Sequence, residues 1–255
     1  MQLSKSEYMM FLKHPAWLWL KKNQKHLLPP PDAAMQALFD AGHNYERYAE
    51  QLFPDGVRLG FNIYSEYRAL PEKTRAAFKG GANTVFQGRF ESGQTTCIVD
   101  VLQRVEADVF DLYEIKASTS VKADHVPDLA FQVHVLEGAG LKIRHAGVVH
   151  VDRDYVRRGN IDVQELSKIE DITDRVREQI PITEREIDKA LGVMRLADMP
   201  DLSPRHVATR AMDEWMEIYA NVLGKPDQYS IYNLAGIKPE QVANLEDAGI
   251  LTIDS

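Results

Sequence analysis

Four stretches between residues 57 and 116 constrain this chain most: 57–64, 84–90, 95–104 and 109–115 are rich in β-branched and aromatic residues. Turn-like segments such as Glu91-Ser92-Gly93-Gln94 part them, which predicts a β-meander with a short helix over 70–79 between its first two strands. Helical spacing brackets this region. Before it, Ser4-Lys5-Ser6-Glu7 reads as a capping box opening a helix that stops or bends before Pro15. Pro29-Pro30-Pro31 is a stiff connector, and Asp32 caps a second helix over 33–52 with Met35, Leu38, Phe39, Ala49 and Leu52 at helical spacing. After it come a helix over 124–136, closed by Gly138-Ala139-Gly140, and a strong strand over 143–151. From there on the pattern is helical: 163–168, 171–179, 183–196 after Pro181, 205–222 and 239–248. The expected order is α, α, β-meander, α, β, then a helical region.

Two of the strands carry charge where strands of a buried sheet are apolar. Asp100 sits in Ile98-Val99-Asp100-Val101-Leu102, and Leu112-Tyr113-Glu114-Ile115-Lys116 follows about fourteen residues later. An isolated buried carboxylate is costly, so such groups are paired or bind a metal. The two-residue period of a strand puts Glu114 and Lys116 on one face, and a hairpin can set Asp100 opposite Glu114. Two carboxylates and the backbone carbonyl of Ile115 make a hard oxygen site suited to Mg²⁺ or Mn²⁺. Such an ion polarises a phosphate and acidifies bound water, while the Lys116 ammonium orients that water or stabilises the transition state. Taken alone, an E-x-K is far more often an ordinary Glu–Lys alternation on a half-exposed strand.

The surrounding residues add context. Leu3-Ser4-Lys5-Ser6, Phe11-Leu12-Lys13-His14-Pro15 and Leu18-Trp19-Leu20 are followed by Ala41-Gly42-His43 and Leu52-Phe53-Pro54-Asp55-Gly56-Val57. Then come Val99-Asp100-Val101-Leu102, Tyr113-Glu114-Ile115-Lys116-Ala117-Ser118-Thr119-Ser120-Val121-Lys122, Ala130-Phe131-Gln132 and Leu136-Glu137-Gly138-Ala139-Gly140. With D and E-x-K on the second and third strands of an α–β–β–β–α–β order, the chain resembles the PD-(D/E)XK nucleases. Within them it is similar to the RecB-like and CRISPR-associated exonucleases, and to a bacterial RecB-like family.

The resemblance implies an α/β restriction-endonuclease-like core, a central mixed sheet flanked by helices, and a helical C-terminal region. It implies a metal-dependent DNA exonuclease acting on single-stranded DNA or DNA ends, with an endonuclease or a non-catalytic DNA-binding scaffold as alternatives. Asp100, Glu114, Lys116 and Gln132 match the catalytic positions; His43, Asp100, Glu114 and the Ile115 carbonyl match the metal ligands. Gln132 stands for the Gln of a Q-x-x-x-Y motif, but Leu136 replaces its Tyr, with His134 a candidate substitute. His125 and Asp128, on the same helix, either face the groove or are a cap and surface polarity.

Relatives often hold a [4Fe–4S] cluster through four cysteines. Here His14, Val207, Asp213 and Tyr219 stand at those positions, and the one cysteine, Cys97, lies elsewhere. No iron–sulfur cluster is therefore expected, and packing around Trp215 is expected to join the first and last helices. Relatives often continue into a second nuclease domain, so the resemblance allows either a further domain or protein partner, or a naturally single-nuclease form. The expected division is 1–160 for the core, 161–225 for a helical region and 226–255 for a helix-hairpin-like segment.

Composition sets looser bounds. The net charge of −8 argues mildly against a passive duplex-coating protein but not against a nuclease with acidic ligands. The basic groups Lys21, Lys22, Lys25, His26 and Arg153, Arg157, Arg158 read as solvated surface in preference to a nucleic-acid patch. With neither an apolar run of about 20 residues nor a signal peptide, the expectation is a cytoplasmic protein with no membrane role.

Overall fold

The computed structural model describes residues 1–253. In chain order the elements are β1 (Leu3–Ser4), α1 (Lys5–Lys13), α2 (Pro15–Asn23), α3 (Ala33–Ala49), β2 (Val57–Arg58), α4 (Tyr64–Lys79), β3 (Thr84–Ser92), β4 (Thr95–Arg104) and β5 (Val109–Lys116). There follow α5 (His125–Gly138), β6 (Lys142–Val151), α6 (Val163–Leu166), β7 (Ser167–Asp171), α7 (Thr173–Val193), α8 (Met212–Leu223) and α9 (Pro239–Asp247). The chain divides into two compact units, Met1–Lys5 with Pro31–Arg185, and Ser6–Pro30 with the residues from Glu186 on.

The first unit is built on a mixed sheet of order β2-β3-β4-β5-β6-β7, with β1 pairing β4 off that path. β3, β4 and β5 form the expected antiparallel meander, and β6 returns parallel to β5. This is the α/β class with a central mixed sheet and flanking helices that the sequence led us to expect. The β-branched and aromatic residues of β3–β6 are largely buried, and α5 is buried along nearly its whole length. Its last turn comes so close to β3 that a Cβ on Gly138 would stand 2.2 Å from the Ser92 hydroxyl oxygen. Glycine is what lets this helix lie against the sheet.

Several elements differ from expectation. The strand expected over 57–64 is confined to Val57–Arg58, because Tyr64 already opens α4. The Asn62 N–H, just before the helix cap Ile63, donates to the Glu66 carboxylate at 2.7 Å and ties the incoming chain to the first turn of α4. On α3, Asp32 caps as expected, its carboxylate accepting from the Met35 N–H, but Met35, Leu38 and Phe39 are exposed. The helix expected over 163–168 is one turn followed by β7, a polar edge strand held by its ladder to β6. Polar Ser-Lys-Ile-Glu-Asp carries no apolar alternation to announce a strand. The two helices expected either side of Pro181 are one, α7, although proline removes a backbone donor there. The units cut the chain at other points than the expected 1–160, 161–225 and 226–255, because β7 extends the sheet past residue 160.

The second unit is held by an apolar cluster in which Ala16, Trp17, Trp19 and Leu20 of α2 meet Val207 and, from α8, Trp215 and Ile218. His14 precedes α2, its Nδ1 accepting from the Ala16 N–H, while Nε2 lies 3.1 Å from the Ser203 carbonyl oxygen. Its ring stacks on Trp215 at 3.6 Å. The helix expected over 205–222 starts only at Met212, after two 3₁₀ turns. Gly236 and Gly249 adopt left-handed φ of 72° and 74°, the turn conformation their positions suggested. Among the described residues no helix is long and apolar enough to cross a membrane.

Burial lowers the His14 pKa to about 4. An unfolded chain takes up the proton near pH 6.5 while the folded one does not until about 4, so stability is full above 6.5 and falls as pH drops through that window. The expected loss is up to about 3 kcal/mol. Denaturant unfolding at pH 4.5 and 7.5 should show it, and a His14→Phe variant should lose that part of the difference.

Candidate active site

The meander's register sets the site. Val101 pairs with Tyr113 at the end of the β4–β5 ladder, so Asp100 and Glu114 lie one step beyond it, side by side. The ladder's place is taken by a side chain: the Ile115 N–H donates to Asp100 Oδ2 at 2.9 Å. Glu114 is buried, whereas Asp100 is only partly covered. Period-2 geometry brings Lys116 to the same face, where its Nζ donates to Glu114 Oε1 at 2.8 Å. Gln132, fully buried on α5, donates to Glu114 Oε2 at 2.7 Å and to Asp128 Oδ1 at 3.0 Å. Asp100, Glu114, Lys116 and Gln132 are thus linked by the hairpin and the helix packed on it.

Two residues complete this network. Asp128, one turn before Gln132, accepts from Lys116 at 2.8 Å and is buried, so it faces the site rather than solvent. The spacing of four on α5 was the signal for it. Lys5, which follows β1, donates to Glu114 Oε1 at 2.6 Å and lies 3.3 Å from Asp128 Oδ1. Sequence reasoning missed Lys5, because only the parallel pairing of β1 with Thr95 and Thr96 brings it to a site formed about a hundred residues later.

The charges sort themselves accordingly. Burial and the neighbouring Glu114 charge push the Asp100 carboxyl up to about 7. Burial would raise Glu114 too, but the ammoniums of Lys116 and Lys5 overcome it and hold that carboxyl well below the usual range. Lys116 and Lys5 are opposed by burial, yet Glu114 and Asp128 keep both above an ordinary lysine. The site therefore brings together the carboxyls of Asp100, Glu114 and Asp128 with two ammoniums, Glu114 firmly ionised and Asp100 raised to about 7. The Glu114 charge beside Asp100 disfavours a second negative charge there, which with burial is why Asp100 is raised while the lysines keep Glu114 ionised.

His43 stands apart from this group. It is exposed on α3 and lines a groove of about 340 Å³ with Glu46, Phe61 and Gln87. Among the described residues no three His, Cys, Asp or Glu side chains are grouped to hold a metal ion, so His43, Asp100 and Glu114 are not gathered as the ligand set expected above. Instead, Gln87 Nε2 bridges Glu46 Oε1 at 2.8 Å and Asp100 Oδ1 at 3.2 Å, while the lysines take up Glu114. Ile115 buries its side chain between the sheet and α3, in a cluster with Tyr45 and Ala49. His125 is buried, with its pKa lowered by burial and by Lys116; its Nδ1 accepts from the Lys122 N–H. His134 lies 3.5 Å from Glu184, and Leu136 is buried, so the motif's missing tyrosine is not replaced at either position by a group in the site network.

No protein-family model and no curated protein matches this chain. Solved structures similar to it include two of an alkaline exonuclease from Laribacter hongkongensis, one of them in complex with dAMP. Each has a TM-score of 0.36 and 13% identity, over 76% of this chain and 87% of the other.

Proposed function

We propose that this chain is a metal-dependent deoxyribonuclease that hydrolyses phosphodiester bonds, acting as an exonuclease on single-stranded DNA or DNA ends. The observation that carries this reading is the side-by-side placement of Asp100 and Glu114 one step beyond the end of the β4–β5 ladder, with the Lys116 ammonium bonded to Glu114. The donors fit a hard cation: both are carboxylates, and burial with the Glu114 charge raises Asp100 to about 7, a penalty on its ionised form that a bound cation would offset. Asp100 and Glu114 would hold Mg²⁺ or Mn²⁺, which when bound supplies Lewis-acid polarisation of the phosphate and a more acidic water.

The chain's own residues do the rest. The Ile115 N–H and the Gln87 amide fix the Asp100 carboxylate, and Gln132 fixes that of Glu114. Lys116, kept cationic by Glu114 and Asp128, offsets charge growing on the phosphoryl oxygens. The reading involves no iron–sulfur centre; the one cysteine, Cys97, is buried in the sheet.

A second reading, a non-catalytic DNA-binding relative, is favoured by one observation: both lysines close ion pairs on Glu114. Incubation with end-labelled linear and circular DNA, single- and double-stranded, in Mg²⁺ or Mn²⁺ separates the alternatives. Release of terminal nucleotides from linear DNA with circles left whole is the expected result. Opened circles would make the chain an endonuclease, and intact DNA throughout would favour the scaffold.

A further inference from the structure

We propose that Phe61 and Tyr64 form a base-stacking subsite for an unpaired nucleic-acid strand beside Asp100, along the groove of His43 and Gln87. The proposal rests on the hydrolytic reading and adds what part of the substrate is recognised: the faces of unpaired bases. Tyr64 is 73% exposed and Phe61 47%. Both pack on Tyr67, Phe61 edge-on at 5.1 Å between ring centres and Tyr64 stacked at 6.2 Å with 23° between planes. Tyr67 is itself backed by the buried guanidinium of Arg89, 3.9 Å from its ring centre. Arg89 in turn donates to the Tyr67 carbonyl and to Thr96. The aromatic array is thus pinned on its inner side and open on its outer one, which suits rigid aromatic surfaces that receive a stacked ring.

The array leads to the chemistry. Phe61 lines the same groove as His43 and Gln87, and Gln87 reaches from it to Asp100. Gln87 faces Asp100 across the β3–β4 ladder with φ of 56°, a left-handed conformation in mid-strand for a residue that is not glycine. Such strain persists where the surroundings hold it, and here it turns the amide onto Asp100 and Glu46. Along α4, Tyr64, Arg68, Arg75 and Lys79 recur at helical spacing and all are exposed. Of these, Arg68 stands one turn from Tyr64 and offers a phosphate a partner next to the rings, in a chain whose net charge is −8, while Arg75 and Lys79 lie roughly 16 and 22 Å from Tyr64 along the helix. Stacking rings beside a basic face suits a single strand, because a duplex hides the base faces.

The test is fluorescence anisotropy with the full chain in EDTA, which stops metal-dependent turnover. The probes are labelled oligothymidylate, an abasic oligonucleotide of equal length and a duplex. The expected result is clearly tighter binding to oligothymidylate than to either other probe. Phe61→Ala and Tyr64→Ala should each weaken it by about 5–150-fold while leaving the abasic affinity unchanged, and Tyr64→Phe should retain it. Equal affinity for oligothymidylate and the abasic strand overturns the proposal, as does a preference for duplex or an equal loss on both strands in the alanine variants. Base discrimination without any cleavage in metal removes the hydrolytic reading and keeps the subsite. Cleavage without base discrimination does the reverse.

Discussion

Replacing Lys116 with methionine is expected to lower DNA cleavage by about 10²–10³-fold while leaving oligonucleotide binding in EDTA nearly unchanged. Its Nζ stands 2.8 Å from both Glu114 Oε1 and Asp128 Oδ2. Burial works against its charge, but those carboxylates hold the ammonium above the ordinary lysine range, so at neutral pH it is a fixed cation and not a base. A fixed cation at a site where phosphoryl charge develops acts on the transition state more than on the bound strand, which is why rate and not affinity should fall. Methionine keeps most of the side-chain length, and Glu114 retains Lys5 as an ion partner, so the fold should survive; thermal unfolding checks this. The same substitution at Lys5 is the informative comparison. Cleavage lost with Lys5→Met but kept with Lys116→Met would reverse the roles assigned to the two ammoniums.

Trp215→Ala is expected to destabilise the second unit by about 3–5 kcal/mol. The indole is fully buried among Trp17, Leu20, Val207 and Ile218; its N–H donates to the Leu202 carbonyl at 3.1 Å, and its face stacks on His14. Truncation removes the ring and orphans that carbonyl together. By size scaling a unit of about 95 residues should lose roughly 15–25 °C of its melting temperature, readable by calorimetry. A change under about 1 kcal/mol would mean that α2 and α8 are held together by something other than this packing. Around the indole, His14 stacks on its face, Val207 is buried in the same cluster and Tyr219 packs at the edge.

What the sequence disclosed follows from the range of each signal. β4 was legible to the residue, and β3, β5, α5 and β6 nearly so, because alternation and helical spacing are local and their buried faces are apolar. Gln132 was expected only from the family resemblance, whereas the Asp100–Glu114–Lys116 grouping was legible because a hairpin's register and the two-residue period fix neighbours over short separations. β7 was not, since a polar edge strand draws its stability from the ladder to β6 and leaves no pattern of its own. Lys5 was invisible for a similar reason: β1 is two residues long and its parallel pairing with β4 spans about ninety residues. His43 came from likeness to a family and not from local pattern, and it lies exposed on the wall of the groove from which the Gln87 amide reaches Asp100.

The central claim is that Asp100 and Glu114 serve phosphodiester hydrolysis by holding a divalent cation. The most direct measurement is release of labelled nucleotide from linear DNA by the wild-type chain and by Asp100→Ala, each with Mn²⁺, with Mg²⁺ and with EDTA. The account predicts release by wild type in Mn²⁺ or Mg²⁺, none in EDTA, and a loss of at least about 10²-fold in Asp100→Ala. Release by Asp100→Ala at the wild-type rate, or release by wild type in EDTA, would contradict it.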